Sequence, residues 1–192
     1  MPLLFTPRTE PTFKTSTDTS QSQSNGLVCI VKQWNIGPYF FENHRAQAIT
    51  VDGVSYRRML NDYFLLIMRE HPAFSSHTCF QQDGATPHTA RETMALLRDF
   101  FPNKLISRFG DIPWPPRSPD LTPMGFLLWG YLKSKVYETD PGTISALKEN
   151  IVREVNGIPT SLLQRVARNT AARFQECVRR DGQHLDEIIF KI

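Results

Sequence analysis

Residues 77–90, HTCFQQDGATPHTA, change character within a few positions. The run HTCFQQ has the composition of a short strand, Asp83-Gly84 ends it, and Thr86-Pro87 carries the cap-plus-proline signature of a helix start. The helix predicted over residues 87–101 turns Ala90, Met94, Leu97 and Phe101 inward. A strand leading directly into a helix points to an α/β sheet covered by helices. Asp83 should therefore emerge at the carboxyl end of a strand, close to the N-terminus of the next helix, where sites form in open α/β sheets. An Asx-type turn with the following backbone is the ordinary role of such an aspartate. Asp83 alone therefore does not define a site.

The 192 residues, 40% of them hydrophobic, suffice for one domain with a sizeable core. Residues 1–25 are rich in Thr, Ser, Gln and Pro, a mixture that buries too little surface to offset its ordering entropy, and they predict a disordered tail. The folded domain is then expected over residues 26–192. After Gly26, LVCIVKQW and, past the turn signal at residues 35–38, PYFFE predict a hairpin. ITVDGVSY carries an Asp-Gly turn, and Met59, Leu60, Tyr63, Phe64, Ile67 and Met68 share one helix face that ends before Pro72. LISRF predicts a strand, DIPWPPRSPDLTP a proline-rich loop, and Thr122-Pro123 a second cap in front of the apolar helix MGFLLWGYLKSKV. Two amphipathic helices close the chain. The first turns Ile144, Leu147, Ile151 and Val155 inward; the second turns Leu163, Val166, Thr170, Phe174 and Cys177 inward, with Arg165, Arg168, Arg173 and Arg179 largely off that face.

A net charge of +3 permits binding to a polyanion without arguing for it alone. Cys29, Cys79 and Cys177 show neither CxxC nor Cys/His spacing, so neither a disulfide framework nor a zinc site is indicated. No apolar run approaches the length of a membrane span, and the first residues are interrupted by Pro and Arg too early for a secretory segment. These features predict an intracellular chain, nuclear or cytoplasmic, with no membrane partner.

The segment FQQDGATPHTA, followed one helix and one strand later by WPPRSPDLTPMGFLLWGYLKSKVY, resembles the mariner-type DDE transposases. The likeness continues through NIGPYFFE upstream and QHLDEIIFK at the C-terminus, covering residues 26–192. It implies an RNase H-like fold, a mixed sheet flanked by helices, whose acids bind two Mg²⁺ or Mn²⁺ ions for DNA strand cleavage and transfer. Several acids are needed because hard divalent ions take oxygen ligands in near-octahedral geometry, and a two-metal site holds its ions about 3.5–4 Å apart. In the family the first acid lies on a strand upstream of the NIGPYFFE hairpin, the second corresponds to Asp83, and the third stands two residues after the proline of SPDLxP.

At that third position this chain has Gly125. With Thr122 as the cap, Gly125 is the third helical residue, where the helix dipole and a capping box both favour a carboxylate. Upstream of Gly26 the family's first strand is expected to be missing, and Asp18 matches no motif. Asp83 is thus the surviving catalytic and metal-binding acid implied by the resemblance, and Gly125 marks a lost one. The expectation is a catalytically inactive transposase domain with weak, non-specific DNA binding through Arg117, Lys133 and Lys135. Two alternatives are a protein-interaction scaffold pairing with itself or a full-length transposase, and a metal-dependent nuclease completing Asp83 with unrecognised ligands. Local roles are expected for the other candidates: Asp120 caps its own turn, Asp111 does not restore the site, Glu92 and Asp99 are solvated, and His88 is an ordinary first-turn residue, with a hydrogen-bonding or phosphate-facing role as its alternative. Pro113 to Arg117 contains a PxxP spacing but is expected to pack as a structural loop.

Overall fold

The computed structural model describes residues 3–5, 12–14, 23–30, 35–72, 74–115, 118, 120–122, 129–183 and 185, with the backbone alone at 3–5, 12–14, 23–30, 35 and 129. Its strands are β1 (Leu3–Phe5), β2 (Thr12–Lys14), β3 (Gln23–Ile30), β4 (Asn35–Phe40), β5 (Cys79–Gln81), β6 (Leu105–Ser107) and β7 (Ile112–Pro113). They form one sheet in the order β2-β3-β1-β5-β6-β7, with β4 also paired to β3. The pairs β1 to β5, β5 to β6 and β6 to β7 are parallel, and β3 is antiparallel to β1, β2 and β4. The hairpin expected after Gly26 is present, with Gly26 opposite Phe40 and Leu27 opposite Tyr39.

The beginning of the chain corrects the sequence reading. Residues 1–25 were expected to form a disordered tail, yet β1 and β2 lie inside that segment and β3 begins at Gln23. The place of a first central strand is filled: β1 lies between β3 and β5, with Leu3 opposite Cys79, Leu4 opposite Phe80 and Phe5 opposite Gln81. A three-residue run such as LLF gives too little local pattern to mark a strand. Its pairing with residues 79–81 is wholly non-local.

Helix α1 (Gly53–Met59), a π-helical turn (Leu60–Phe64) and α2 (Leu65–Glu70) follow one another directly. The predicted inward face holds: Met59, Leu60, Phe64 and Met68 are buried. Asp52-Gly53 does not make a chain-reversing turn. Asp52 caps α1, its carboxylate accepting from Ser55 N at 2.8 Å while Ser55 Oγ accepts from Asp52 N at 2.9 Å. The helix expected over residues 87–101 is divided into α3 (Thr86–Thr89) and α4 (Arg91–Phe100), with Ala90 extended between them. The cap is Ala85 rather than Thr86. The break has a visible cause, because the carbonyl of His88 accepts a side-chain amide of Gln82 at 2.8 Å instead of continuing a helical ladder.

Phe80 sits at the centre of the main core, fully buried, stacked on Phe101 at 5.2 Å and tilted against Phe64 at 5.4 Å. Helices α5 (Trp129–Val136), α6 (Ile144–Asn156) and α7 (Thr160–Arg179) pack a second cluster from Leu132, Val136, Leu147, Ile151, Val155, Leu163 and Val166. Thr143 caps α6 through Ala146 N at 3.1 Å. At the far end of α7, Glu176 bonds both Arg179 and Arg180 at 2.6 Å, which holds its carboxyl down to about 2 from an ordinary 4.5. A depressed carboxylate stabilises the fold above its unfolded pKa, and that contribution disappears as pH falls through the folded value. Glu176→Gln is therefore expected to flatten the loss of melting temperature between about pH 4.5 and about pH 2, measured by circular dichroism, and to change little in slope at neutral pH.

Candidate functional site

Asp83 follows Gln82 at the carboxyl end of β5 and is 5% exposed. Its Oδ1 accepts from Ala85 N at 2.9 Å, so the Asx-type turn expected of a strand-ending aspartate is formed. The same oxygen lies 2.7 Å from His88 Nδ1. An ionised carboxylate only accepts, so in that pairing Nδ1 carries the proton. The other oxygen, Oδ2, is buried and has no hydrogen-bond partner among the described residues.

A buried polar network holds this pair in place. The Tyr56 ring lies 4.5 Å from the His88 imidazole, and Tyr56 Oη donates to Gln82 Oε1 at 3.2 Å. Gln82 Nε2 donates to the His88 carbonyl at 2.8 Å and lies 3.4 Å from Ser107 Oγ at the end of β6. Tyr56, Gln82, His88 and Ser107 are all buried. Sequence reading put an ordinary first-turn role for His88 ahead of a hydrogen-bonding one; in the structure His88 lies in α3 and is the side-chain partner of Asp83. Proximity in sequence could have suggested that pair, but the Tyr56 to Gln82 contact spans 26 residues and leaves no local pattern.

The remaining candidates lie apart. Glu92 is exposed and 3.7 Å from Arg57, and Asp99 is exposed on α4. Asp111 is exposed, and its Oδ2 accepts from Leu105 N at 3.0 Å. Lys133 is exposed on α5, and Lys135 pairs with Glu138 at 2.7 Å. Gly125, Arg117 and Asp18 lie outside the described residues, as do most of residues 184–192.

Asp120 also reaches well beyond its own turn: its Oδ2 accepts from Leu185 N at 2.8 Å, across 65 residues. Arg173, expected to lie off the buried face of α7, is 3% exposed and donates to the Asp120 carbonyl at 2.9 Å. Trp114 meets Phe174 edge-on at 5.8 Å, so the proline-rich segment packs structurally there. Helix α7 thus holds the SPDL segment from behind. A solvated arginine face was the wrong reading for Arg173 because the covering loop comes from 53 residues away.

Among the described residues the donors do not make up a site for a pair of divalent ions. Asp83 offers one carboxylate with one oxygen already engaged, and among the described residues no three His, Cys, Asp or Glu side chains come together to hold a metal. Oδ2 thus leaves one buried acceptor of Asp83 unsatisfied among the described residues.

Comparison with known proteins gives the fold a context. No protein-family model matches the sequence. The chain is 37% identical over 110 residues to the Tc3 transposase of the transposable element Tc3 from Caenorhabditis elegans, a match covering 56% of this chain and 31% of that protein. It thus spans about a third of the length of that curated relative. The crystal structure of the Mos1 mariner transposase catalytic domain superposes with a TM-score of 0.75 at 17% identity, over 96% of this chain and 84% of that one. The same catalytic domain with raltegravir and Mn gives 0.74 at 16% identity, with the same coverage. The Mos1 paired end complex with Mg gives 0.68 at 17% identity, over 96% of this chain and 56% of that one. The chain therefore shares the mixed, helix-flanked sheet of the Mos1 catalytic domain, an RNase H-like fold, and over 110 residues its sequence is similar to that of the Tc3 transposase.

Proposed function

We propose that this mariner-type DDE transposase domain keeps the family's fold and one of its acids but does not cleave DNA, and that it binds nucleic acid weakly and without sequence preference. The observation that carries this reading is Asp83: buried at the carboxyl end of β5, with one oxygen tied to His88 and Ala85, and in no cluster of three His, Cys, Asp or Glu side chains among the described residues. The sequence supports it from both sides. After Phe5 come Thr-Pro-Arg-Thr, with the next carboxylate only at Glu10, and Gly125 stands where the family has its third acid. A cation held by one carboxylate would be bound weakly, since both Mg²⁺ and Mn²⁺ centres draw on several oxygens.

Binding without a metal centre rests on the phosphate backbone and should therefore depend on salt rather than on divalent ions. The test is fluorescence anisotropy of a labelled duplex with the full chain and with Asp83→Asn, in Mg²⁺ and in EDTA. The expected result is one affinity for both proteins in both buffers, falling as salt rises. A gain in Mg²⁺ that Asp83→Asn abolishes would overturn the reading, as would the absence of any nucleic-acid binding at low salt.

A further inference from the structure

The turn that follows β6 holds a phenylalanine out of the core. Phe109 is 54% exposed, although it lies between two strands of the sheet. The backbone around it is firmly set. Gly110 N donates to Ser107 O at 3.1 Å, Trp114 N donates to the same carbonyl at 2.9 Å, and Asp111 Oδ2 accepts from Leu105 N at 3.0 Å. A Cβ on Gly110 would stand 2.3 Å from the Leu105 carbonyl oxygen and 2.8 Å from Ser107 N, so only glycine fits. The Phe109 carbonyl is itself held by Arg98 Nη2 at 2.5 Å. A large apolar ring kept in water by this many contacts is a surface feature fixed by the fold.

A cation stands over that ring: the Arg108 guanidinium lies 5.0 Å from its centroid, a cation–π arrangement, and Arg98, from α4, binds the backbone carbonyl of the same residue. The Arg108 stem also lies over the turn after Asp83, since a Cβ on Gly84 would meet Arg108 Cδ at 3.4 Å. An exposed aromatic ring flanked by arginines offers both a stacking face and phosphate partners, the two elements of single-strand recognition.

We infer that Phe109, with Arg108 and Arg98, is a stacking platform for an unpaired base of single-stranded DNA lying across the carboxyl ends of β5 and β6. The inference deepens the nucleic-acid reading above and rests on it. Because Phe109 is exposed, truncating it leaves the fold intact, which a thermal melt of each variant verifies.

The experiment is anisotropy of fluorescein-labelled oligothymidine and of a duplex of equal length, with the full chain, Phe109→Ala and Arg108→Ala, over a series of salt concentrations. Phe109→Ala is expected to weaken single-strand binding about tenfold, as loss of one stacked base does, while leaving duplex binding and the salt slope unchanged. Arg108→Ala should lower the single-strand salt slope by about 0.7, the share of one phosphate contact. Unchanged single-strand affinity in Phe109→Ala, with the wild type binding, would overturn the platform alone. If the same variant instead lost self-association in light scattering, the patch would be a protein interface and the platform would again fail. Absence of binding by the wild type to either oligonucleotide would overturn the parent reading together with this one.

Discussion

Phe80→Ala is expected to destabilise the chain by about 3–5 kcal/mol, the cost of removing a fully buried aromatic side chain that its surroundings cannot collapse to replace. Phe80 has no exposed surface, and both its ring neighbours come from helices, Phe64 from the π-helical turn and Phe101 from the end of α4. It also belongs to the strand that pairs with β1 on one side and β6 on the other. A single domain commonly has only about 5–15 kcal/mol of stability, so this one truncation removes a large part of it. Urea unfolding followed by tryptophan fluorescence and circular dichroism measures the shift. A loss below about 1 kcal/mol would mean that β5 does not run through the core, and the position of Asp83 at its end would lose its support.

The second large effect concerns the acids. In sequence, residue 7 follows the end of β1 by two positions as Asp83 follows the end of β5, and the proposed resemblance puts a third acid at residue 125. The double variant Pro7→Asp with Gly125→Asp is expected to tighten Mn²⁺ binding by at least about 10–100-fold, the range that even outer-shell partners of metal ligands command. Titration calorimetry on the native chain and on the double variant reads the change directly. Asp83→Asn added to the double variant should reverse it, as the proposed role of Asp83 as a shared ligand requires. Equal Mn²⁺ affinity in the native and double-variant chains would show that the missing carboxylates are not what limits the site.

The parts of the fold that the sequence announced are those specified locally. The face of Met59, Leu60, Phe64 and Met68 repeats at helical spacing and is buried as the spacing requires, and Leu147, Ile151 and Val155 behave alike on α6. Asp83 was legible because strand, turn and helix signals follow one another without interruption. Long-range partnerships were not legible. Strand β1 is three apolar residues long and acquires its identity from residues 79–81, so the short run could not mark a strand against the Ser/Thr-rich stretch that follows it. Arg173 looked solvated on a helical wheel, since nothing in α7 records that the Asp120 segment covers it. Leu185 N, which donates to Asp120, lies farther still along the chain. Within the site, His88 was recognised as a helix-start residue, whereas its bond to Asp83 and its contact with Tyr56 depend on how α1 packs beside α3.

Single-acid sites and complete ones differ in what they do to DNA, and the most direct measurement is nicking of supercoiled plasmid in Mn²⁺ by the purified native chain, beside Asp83→Asn. The account predicts no nicking above buffer by either protein, because one carboxylate with a single unengaged oxygen cannot hold the two ions that strand cleavage uses. Nicking by the native chain that disappears in Asp83→Asn would contradict it, and would mean that other side chains complete the centre around Asp83.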